Sequence, residues 1–295
     1  MLGKTKPRRR GSKTKTRIKV FENGKTRHRP DTLATEEPME IRLVSGDETS
    51  PVAVTMRTPG ADFELAAGFL FGEGIVSSRD DIRRISYCVD PEVDAEQQYN
   101  IVNVEVNPGH SYDLRTLERH FYTTSACGVC GKASLEQLEL RGCPVMPPGP
   151  EVSAETIYSL PEKLRAAQGL FEATGGLHAA ALFDAGGNLL ALREDVGRHN
   201  ATDKLVGWAL LEGRLPLGGH IVMVSGRSSF EILQKCLAAG APIVGAISAP
   251  SSLAVDVARE FGMTLVGFLR GGRFNVYAGH ERLRPDSTPE NPARA

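Results

Sequence analysis

Residues 38–45 and 51–57 alternate apolar and polar side chains, the period of a half-buried strand, with the turn-forming run Ser45-Gly46-Asp47-Glu48 between them. The pattern then switches to helical spacing. Phe63, Leu65, Ala66, Phe69 and Leu70 follow a helix start at Gly60-Ala61-Asp62, and Gly72 and Gly74 close the segment. Strand-like stretches return at 82–89 and 99–106, and a short helix is expected near 113–121. Lys132 to Leu140 reads as a further helix, with Leu135, Leu138 and Leu140 on its buried side. The run Gly142-Cys143-Pro144-Val145-Met146-Pro147-Pro148-Gly149-Pro150 interrupts both periods and marks a domain boundary.

Beyond that run the rhythm changes. A helix ends at Thr174, and His178–Phe183 pairs with Leu189–Leu192 across the turn 184–188. A helix at 197–212 leads into strand 220–224, helix 229–239, strand 242–247, helix 252–261 and strand 263–269. A last strand, 274–278, follows Gly271-Gly272. Alternating strands and helices imply a parallel sheet covered by helices. The fold class is therefore α/β, with an α+β N-terminal domain at 31–150. The C-terminal domain, 151–283, carries helices over a mixed, mostly parallel sheet.

Charge adds a third region. Residues 1–29 hold twelve Lys and Arg against one acid, Glu22, and the other 266 residues hold 23 basic and 35 acidic groups, a net of -12. So polar an arm buries too little surface to fold alone, so 1–30 is expected to be disordered. The Pro-rich polar tail 284–295 is expected to be disordered too. The arm reads as a solvated tail or as a binder of an acidic partner surface or of nucleic acid, and since the body shows no basic stripe a nucleic-acid enzyme is not expected. No apolar run approaches the roughly 20 residues of a membrane span, and no apolar signal core opens the chain. Five cysteines without a framework spacing fit a reducing cytoplasm.

The chemistry is concentrated in four stretches. Thr123 to Ser134 contains the only Cys-x-x-Cys, Cys127 and Cys130, in a Gly-rich turn ahead of the helix at 132–140. A helix N-terminus favours an anion, so a thiolate or persulfide is stabilised there, and Lys132 adds positive charge. The pair can be a redox or sulfur-carrying site, half of a zinc site, or two ordinary small residues in a tight turn. Cys88 and Cys236 look buried by pattern, and Cys143 lies in the Pro-rich run.

The second stretch runs from Leu192 to Lys204. If helical from Asp195, it places Asp195, His199 and Asp203 on one face, with Arg193, Arg198 and Asn200 nearby. It reads as a pocket wall, with His199 a candidate acid/base, or as a salt-bridged helix start. Third, Val224-Ser225-Gly226-Arg227-Ser228-Ser229 joins a strand to a helix, at the sheet edge where ligands bind. Its N–H groups, hydroxyls and Arg227 suit a phosphate, and Ser248-Ala249-Pro250-Ser251-Ser252 is a similar turn. Fourth, Phe268-Leu269-Arg270-Gly271-Gly272-Arg273 predicts a tight hairpin flanked by two arginines able to fork onto phosphate oxygens. His178, alone at a strand start, reads as a structural residue.

In this order the four stretches resemble the formate dehydrogenase accessory sulfurtransferase family, FdhD. The likeness covers about residues 30 to 280 and leaves out the basic arm. It implies a sulfurtransferase that takes persulfide sulfur from a cysteine desulfurase. The sulfur passes to the molybdenum (or tungsten) of a bis-guanine-dinucleotide pterin cofactor, which then enters formate dehydrogenase. That molybdenum cofactor, Mo-bis(molybdopterin guanine dinucleotide), is bound as substrate, and no permanently bound metal is expected. The resemblance makes Cys127 the carrier and Cys130 its partner. It assigns cofactor binding to Phe268, Leu269, Arg270, Gly271, Gly272 and Arg273, joined by Ser225, Gly226, Arg227, Ser228, Arg193 and His199 from the stretches above. Expected partners are the desulfurase, formate dehydrogenase and the cofactor, without nucleic acid or membrane, and a homodimer is one open option.

The family's C-terminal domain resembles the cytidine deaminase fold. That fold's zinc signature, His-x-Glu followed by Pro-Cys-x-x-Cys, is missing. Ala180 stands two past His178, and Ala126 precedes Cys127. Two other classes stay open beside the carrier: a thiol-disulfide oxidoreductase, and a zinc-binding cofactor-escort protein without catalysis.

Overall fold

The computed structural model describes residues 10–90, 92–94, 97–110, 135, 138 and 143–284. The expected helix at 113–121, both cysteines of the Cys-x-x-Cys and both chain ends lie outside them. Leu135 and Leu138 are helical as predicted, and Leu138 is buried.

The chain divides into two compact units. One takes the described residues up to 110, with 168–179 and 193–215; the other takes 135–167, 180–192 and 216–284. The expected single cut near 150 is replaced by several passages of the chain. The Pro-rich run is no free linker. It is fastened inside the second unit, where Met146 N–H donates to Phe261 O (2.8 Å) and buried Arg282 donates to Pro147 O (2.8 Å) and Gly262 O (2.8 Å).

The first unit opens on β1 (Lys13–Glu22) and β2 (Lys25–Ala34), an antiparallel hairpin in register from Lys13↔Ala34 to Glu22↔Lys25. Residues 13–30 are thus ordered, contrary to the disordered arm expected from charge. The local signal that wins is Asn23-Gly24, at φ 50° and 73°, the two left-handed positions of a type I′ turn. Alternating Thr16, Ile18 and Val20, all half-buried, give one face of β1 something to pack.

Next come β3 (Glu37–Ser45), β4 (Glu48–Arg57), helix α1 (Asp62–Gly72), β5 (Ile82–Tyr87) and β6 (Ile101–Val106), as the periodicity predicted. Their sheet runs β4-β3-β6-β5, with β3 and β6 parallel. Met39, Ile41, Leu43, Val102 and Val104 from the strands meet Leu65 and Leu70 of α1 in its core. A buried Arg57 locks β4 to the start of α1 through Asp62 (3.1 Å) and to the residue before β6 through Asn100 (3.1 Å).

The second unit holds most of a six-stranded sheet. Its order is β13-β12-β11-β10-β8-β9: β8 (His178–Asp184), β9 (Leu189–Asp195), β10 (His220–Val224), β11 (Ile243–Ala246), β12 (Thr264–Arg270) and β13 (Arg273–Ala278). β10, β11 and β12 are parallel neighbours, while β8 and β13 pair antiparallel to them. The sheet is mixed, with the parallel part where the strand–helix alternation placed it. Short β7 (Val152–Ser153) pairs with β14 (Leu283–Arg284). The helices are α2 (Ala154–Ala167), α3 (Gly169–Thr174), α4 (Arg198–Leu211), α5 (Phe230–Ala238) and α6 (Ser252–Glu260). Of these, α3 and α4 belong to the first unit. There α4 crosses α1 with almost no space. A Cβ on Gly207 would stand 1.9 Å from Glu64 O, and one on Gly68 1.9 Å from Asp203 O.

Candidate functional site

Because β10, β11 and β12 run parallel, their C-terminal ends open on one edge of the sheet, where turns have free N–H groups. Three predicted stretches meet there. Ser228 bridges Pro250, Ser251 N–H donates to Ser228 O (3.0 Å), and Phe268 N–H donates to Ser248 O (3.1 Å). Gly267 makes that approach possible, since a Cβ there would lie 3.0 Å from both Pro250 Cδ and Tyr277 Cε2.

The two serine-rich turns are not equivalent. Ser251 spends its hydroxyl on α6, accepting from Ala254 N–H (3.3 Å). At α5 the capping residue Ser229 makes no side-chain capping bond. Ser228, fully buried, has a hydroxyl without a partner among the described residues. A buried polar atom left that way calls for an explanation, and a ligand oxygen is one. Arg227 is exposed and forms no ion pair among the described residues.

The hairpin at 270–273 completes the edge. Gly271 (φ 59°) and Gly272 (φ 71°) make a type I′ turn in the predicted hairpin, and Arg270 pairs directly with Arg273. Directly opposed like charges are unfavourable in a sheet, and neither arginine has an acidic partner among the described residues. Just before them Phe268 sits at φ 52°, a left-handed conformation costly for a bulky residue, at a register shift between Gly267 and Arg270. Nothing in the hydrophobic pattern signals that kink. Phe268 to Arg273 and Ser225 to Ser228 therefore form one cationic edge whose donors suit a phosphorylated ligand.

Arg193 and His199 belong to the other unit. There much of the polar run 193–204 is spent in internal bonds, though the buried Arg198 Nε has no partner among the described residues. Arg193 pairs with Glu64 through two contacts, one of them 2.7 Å, and lies over the Trp208 ring at 5.6 Å. The Glu194 carboxylate accepts from Leu170 N–H (3.0 Å) and Phe171 N–H (2.7 Å) at the start of α3. Helix α4 begins at Arg198, within a residue of the expected 197 and not at Asp195, whose carboxylate folds back: it accepts from Gly197 N–H (2.9 Å) and Asn200 Nδ2 (3.1 Å). Its second oxygen takes Thr58 N–H (3.0 Å) and the buried Lys204 ammonium (2.6 Å). Asp195, His199 and Asp203 are thus not one helical face. His199 is half-buried in the first turn of α4. His178 is held below the usual imidazole range, first by burial and then by the Arg198 charge, with Asp195 opposing. Missed by the sequence pattern were Thr58 and Glu64, whose role appears only once α1 and α4 pack.

Residues 34–284 match the family model described as the FdhD/NarQ family. The chain belongs to the FdhD/NarQ family. It is 54% identical over 263 residues to a protein of Streptomyces avermitilis named sulfur carrier protein FdhD, covering 88% of this chain and 92% of that one. A Sulfurisphaera tokodaii protein of the same name is 46% identical, with 90% and 98% covered. A crystal structure assigned as a formate dehydrogenase accessory protein, from Desulfotalea psychrophila, aligns with TM-score 0.68 at 27% identity, covering 92% of this chain and 99% of that one.

The FdhD/NarQ match spans Cys127 and Cys130, which lie outside the described residues. The other thiols are poor carriers. Burial pushes the Cys236 thiol up to about 12, and Cys88 is also buried. Cys143 is half-buried in the fastened Pro-rich run. No helix of the described residues is long and apolar enough to cross a membrane.

Proposed function

We propose that this FdhD/NarQ member is a sulfur carrier serving formate dehydrogenase, with Cys127 the carrier and a guanine-dinucleotide molybdenum cofactor its substrate. The observation that carries the reading is the cationic edge of the sheet. Arg227, Arg270 and Arg273, the uncapped start of α5 and the orphaned Ser228 hydroxyl are what a diphosphate needs. Gly271 and Gly272 allow the backbone close to phosphate oxygens, and Phe268 offers a ring for a base. The names of its relatives support the sulfur chemistry, and the β8–β13 order with its helices supports a cytidine-deaminase-like reading of the C-terminal part.

In the sulfur step the Cys127 thiolate attacks the terminal sulfur of a desulfurase persulfide. A new S–S bond forms on Cys127, and the desulfurase cysteine leaves as thiolate. For delivery, Cys130 attacks the Sγ of Cys127. A Cys127–Cys130 disulfide forms, and the outer sulfur leaves as hydrosulfide, reduced by two electrons, to ligate molybdenum. A cellular dithiol then returns the disulfide to two thiols. We infer a cytoplasmic carrier, because this chemistry needs thiols that a reducing compartment keeps free.

Intact-mass spectrometry after incubation with cysteine and a desulfurase tests this. One added sulfur atom is expected, located on the Cys127 peptide and absent in Cys127→Ala. An adduct that survives Cys127→Ala and vanishes in Cys130→Ala reverses the roles. One tightly held zinc per purified chain, with no adduct, would instead favour a zinc-binding escort.

A further inference from the structure

The family match starts at residue 34 and so leaves out almost all of the β1–β2 hairpin. The hairpin forms a two-stranded sheet of its own. Its root is fastened by Arg10 to Glu37 (3.2 Å), by the Thr14 and Thr35 hydroxyls (2.8 Å) and by Thr35 N–H to Ser12 O (3.0 Å). From Phe21 to Pro30 every residue is exposed. A lone hairpin with so little apolar cover is marginal in water, so a partner surface would add to its stability.

The register sorts its side chains. Paired residues point to the same face, so one face carries Lys13, Lys15, Arg17 and Lys19, with Ala34, Thr32, Pro30 and His28 opposite. Both acids, Glu22 and Asp31, fall on the other face, where Glu22 pairs with Arg27 (3.0 Å). The four cations have no acidic partner among the described residues, and they repeat about every 6.8 Å, two residues of strand.

The backbone selects an edge. With a two-residue turn, the closing pair Glu22↔Lys25 is mutually hydrogen-bonded, so the N–H and C=O groups of Lys13, Lys15, Arg17 and Lys19 point away from β2. On β2 the outward set includes Pro30, which has no N–H. Like charges stop β1 from pairing with another β1. A strand carrying Glu or Asp at every second position would meet the cations at their own spacing while completing the ladder. A long polynucleotide would also face the rest of the chain, at net -12.

We propose that the hairpin captures an acidic, extended segment of a partner protein by strand addition along β1. The probe is a synthetic peptide of alternating Glu and Thr, titrated into the full chain at low salt. Binding should weaken as salt rises and fall roughly 10- to 100-fold in Lys15→Glu/Lys19→Glu, with the Gln pair in between. Amide exchange at Lys15, Arg17 and Lys19 should slow when the peptide binds. An unchanged affinity in both variants, or unchanged exchange at those amides, overturns the proposal. So does tighter binding of oligothymidylate than of the peptide, or wild-type self-association that the charge reversal abolishes. Sulfur loading of Cys127 reads independently of all these outcomes.

Discussion

Two polar regions, the run Arg193–Lys204 and the turns between Ser225 and Arg273, both read as candidate sites, yet the structure uses them in different ways. In the first, Asp195 accepts four bonds and Lys204 lies buried against it, Glu194 caps a short helix, and Arg193 grips Glu64. In the second, three arginines and a buried serine hydroxyl have no protein partner among the described residues. Polar density alone marks either a scaffold or a site. What separates them is how far the charged side chains are already paired: in the first run most are, with the buried Arg198 Nε an exception, and in the second the three arginines are not.

The contrast can be broken most forcefully at Asp195. Asp195→Ala leaves the Lys204 ammonium buried without its carboxylate, which should destabilise the first unit by about 3–5 kcal/mol, read by urea unfolding. A loss below about 1 kcal/mol, with nucleotide binding abolished instead, would make Asp195 part of a ligand site.

The opposite outcome is expected at the hairpin. Arg270→Ala or Arg273→Ala should weaken GDP binding by roughly 10- to 100-fold, as the loss of one charge-assisted contact, while unfolding shifts by under about 0.5 kcal/mol. Lysine should recover only part of the affinity, having charge without the planar fork. Equal GDP affinity in both Ala variants would leave these arginines as plain surface residues.

The smallest effect sharpens the scaffold side. His178 has a depressed pKa when folded, so the unfolded chain takes up the proton first. Its contribution to stability is complete above the ordinary imidazole value near pH 6.5 and is lost as pH falls through the folded value. His178→Gln should flatten the acid side of a stability–pH curve. A curve that keeps its slope would assign the titration to other groups.

Much of this was legible in the sequence, and the failures have physical causes. β3, β4, α1 and the β10–β13 region followed from period two, period 3.6 and glycine punctuation. The Gly271-Gly272 turn followed from the need for two positive φ angles. The β1–β2 hairpin was hidden because twelve cations outweighed an Asn-Gly turn that fixes register by itself. The helix at 197–212 matched α4 to within a residue, but the single face of Asp195, His199 and Asp203 needed a helix from Asp195, whose side chain instead satisfies the turn before the helix. Of α2 and α3 only the end at Thr174 was read, since Pro161 and Gly169 interrupt the pattern. No periodicity could show the left-handed Phe268 or the α1–α4 crossing at Gly68 and Gly207. Both depend on which elements meet in space.

Hydrogen exchange of the full chain with and without GDP tests the central contrast most directly, because both runs report in one measurement. GDP should protect amides at 225–231 and 267–274 and leave 193–204 unchanged, since Asp195, Glu194, Arg193 and Lys204 are already paired within the protein. Protection confined to 193–204, with the sheet edge unaffected, would contradict the account.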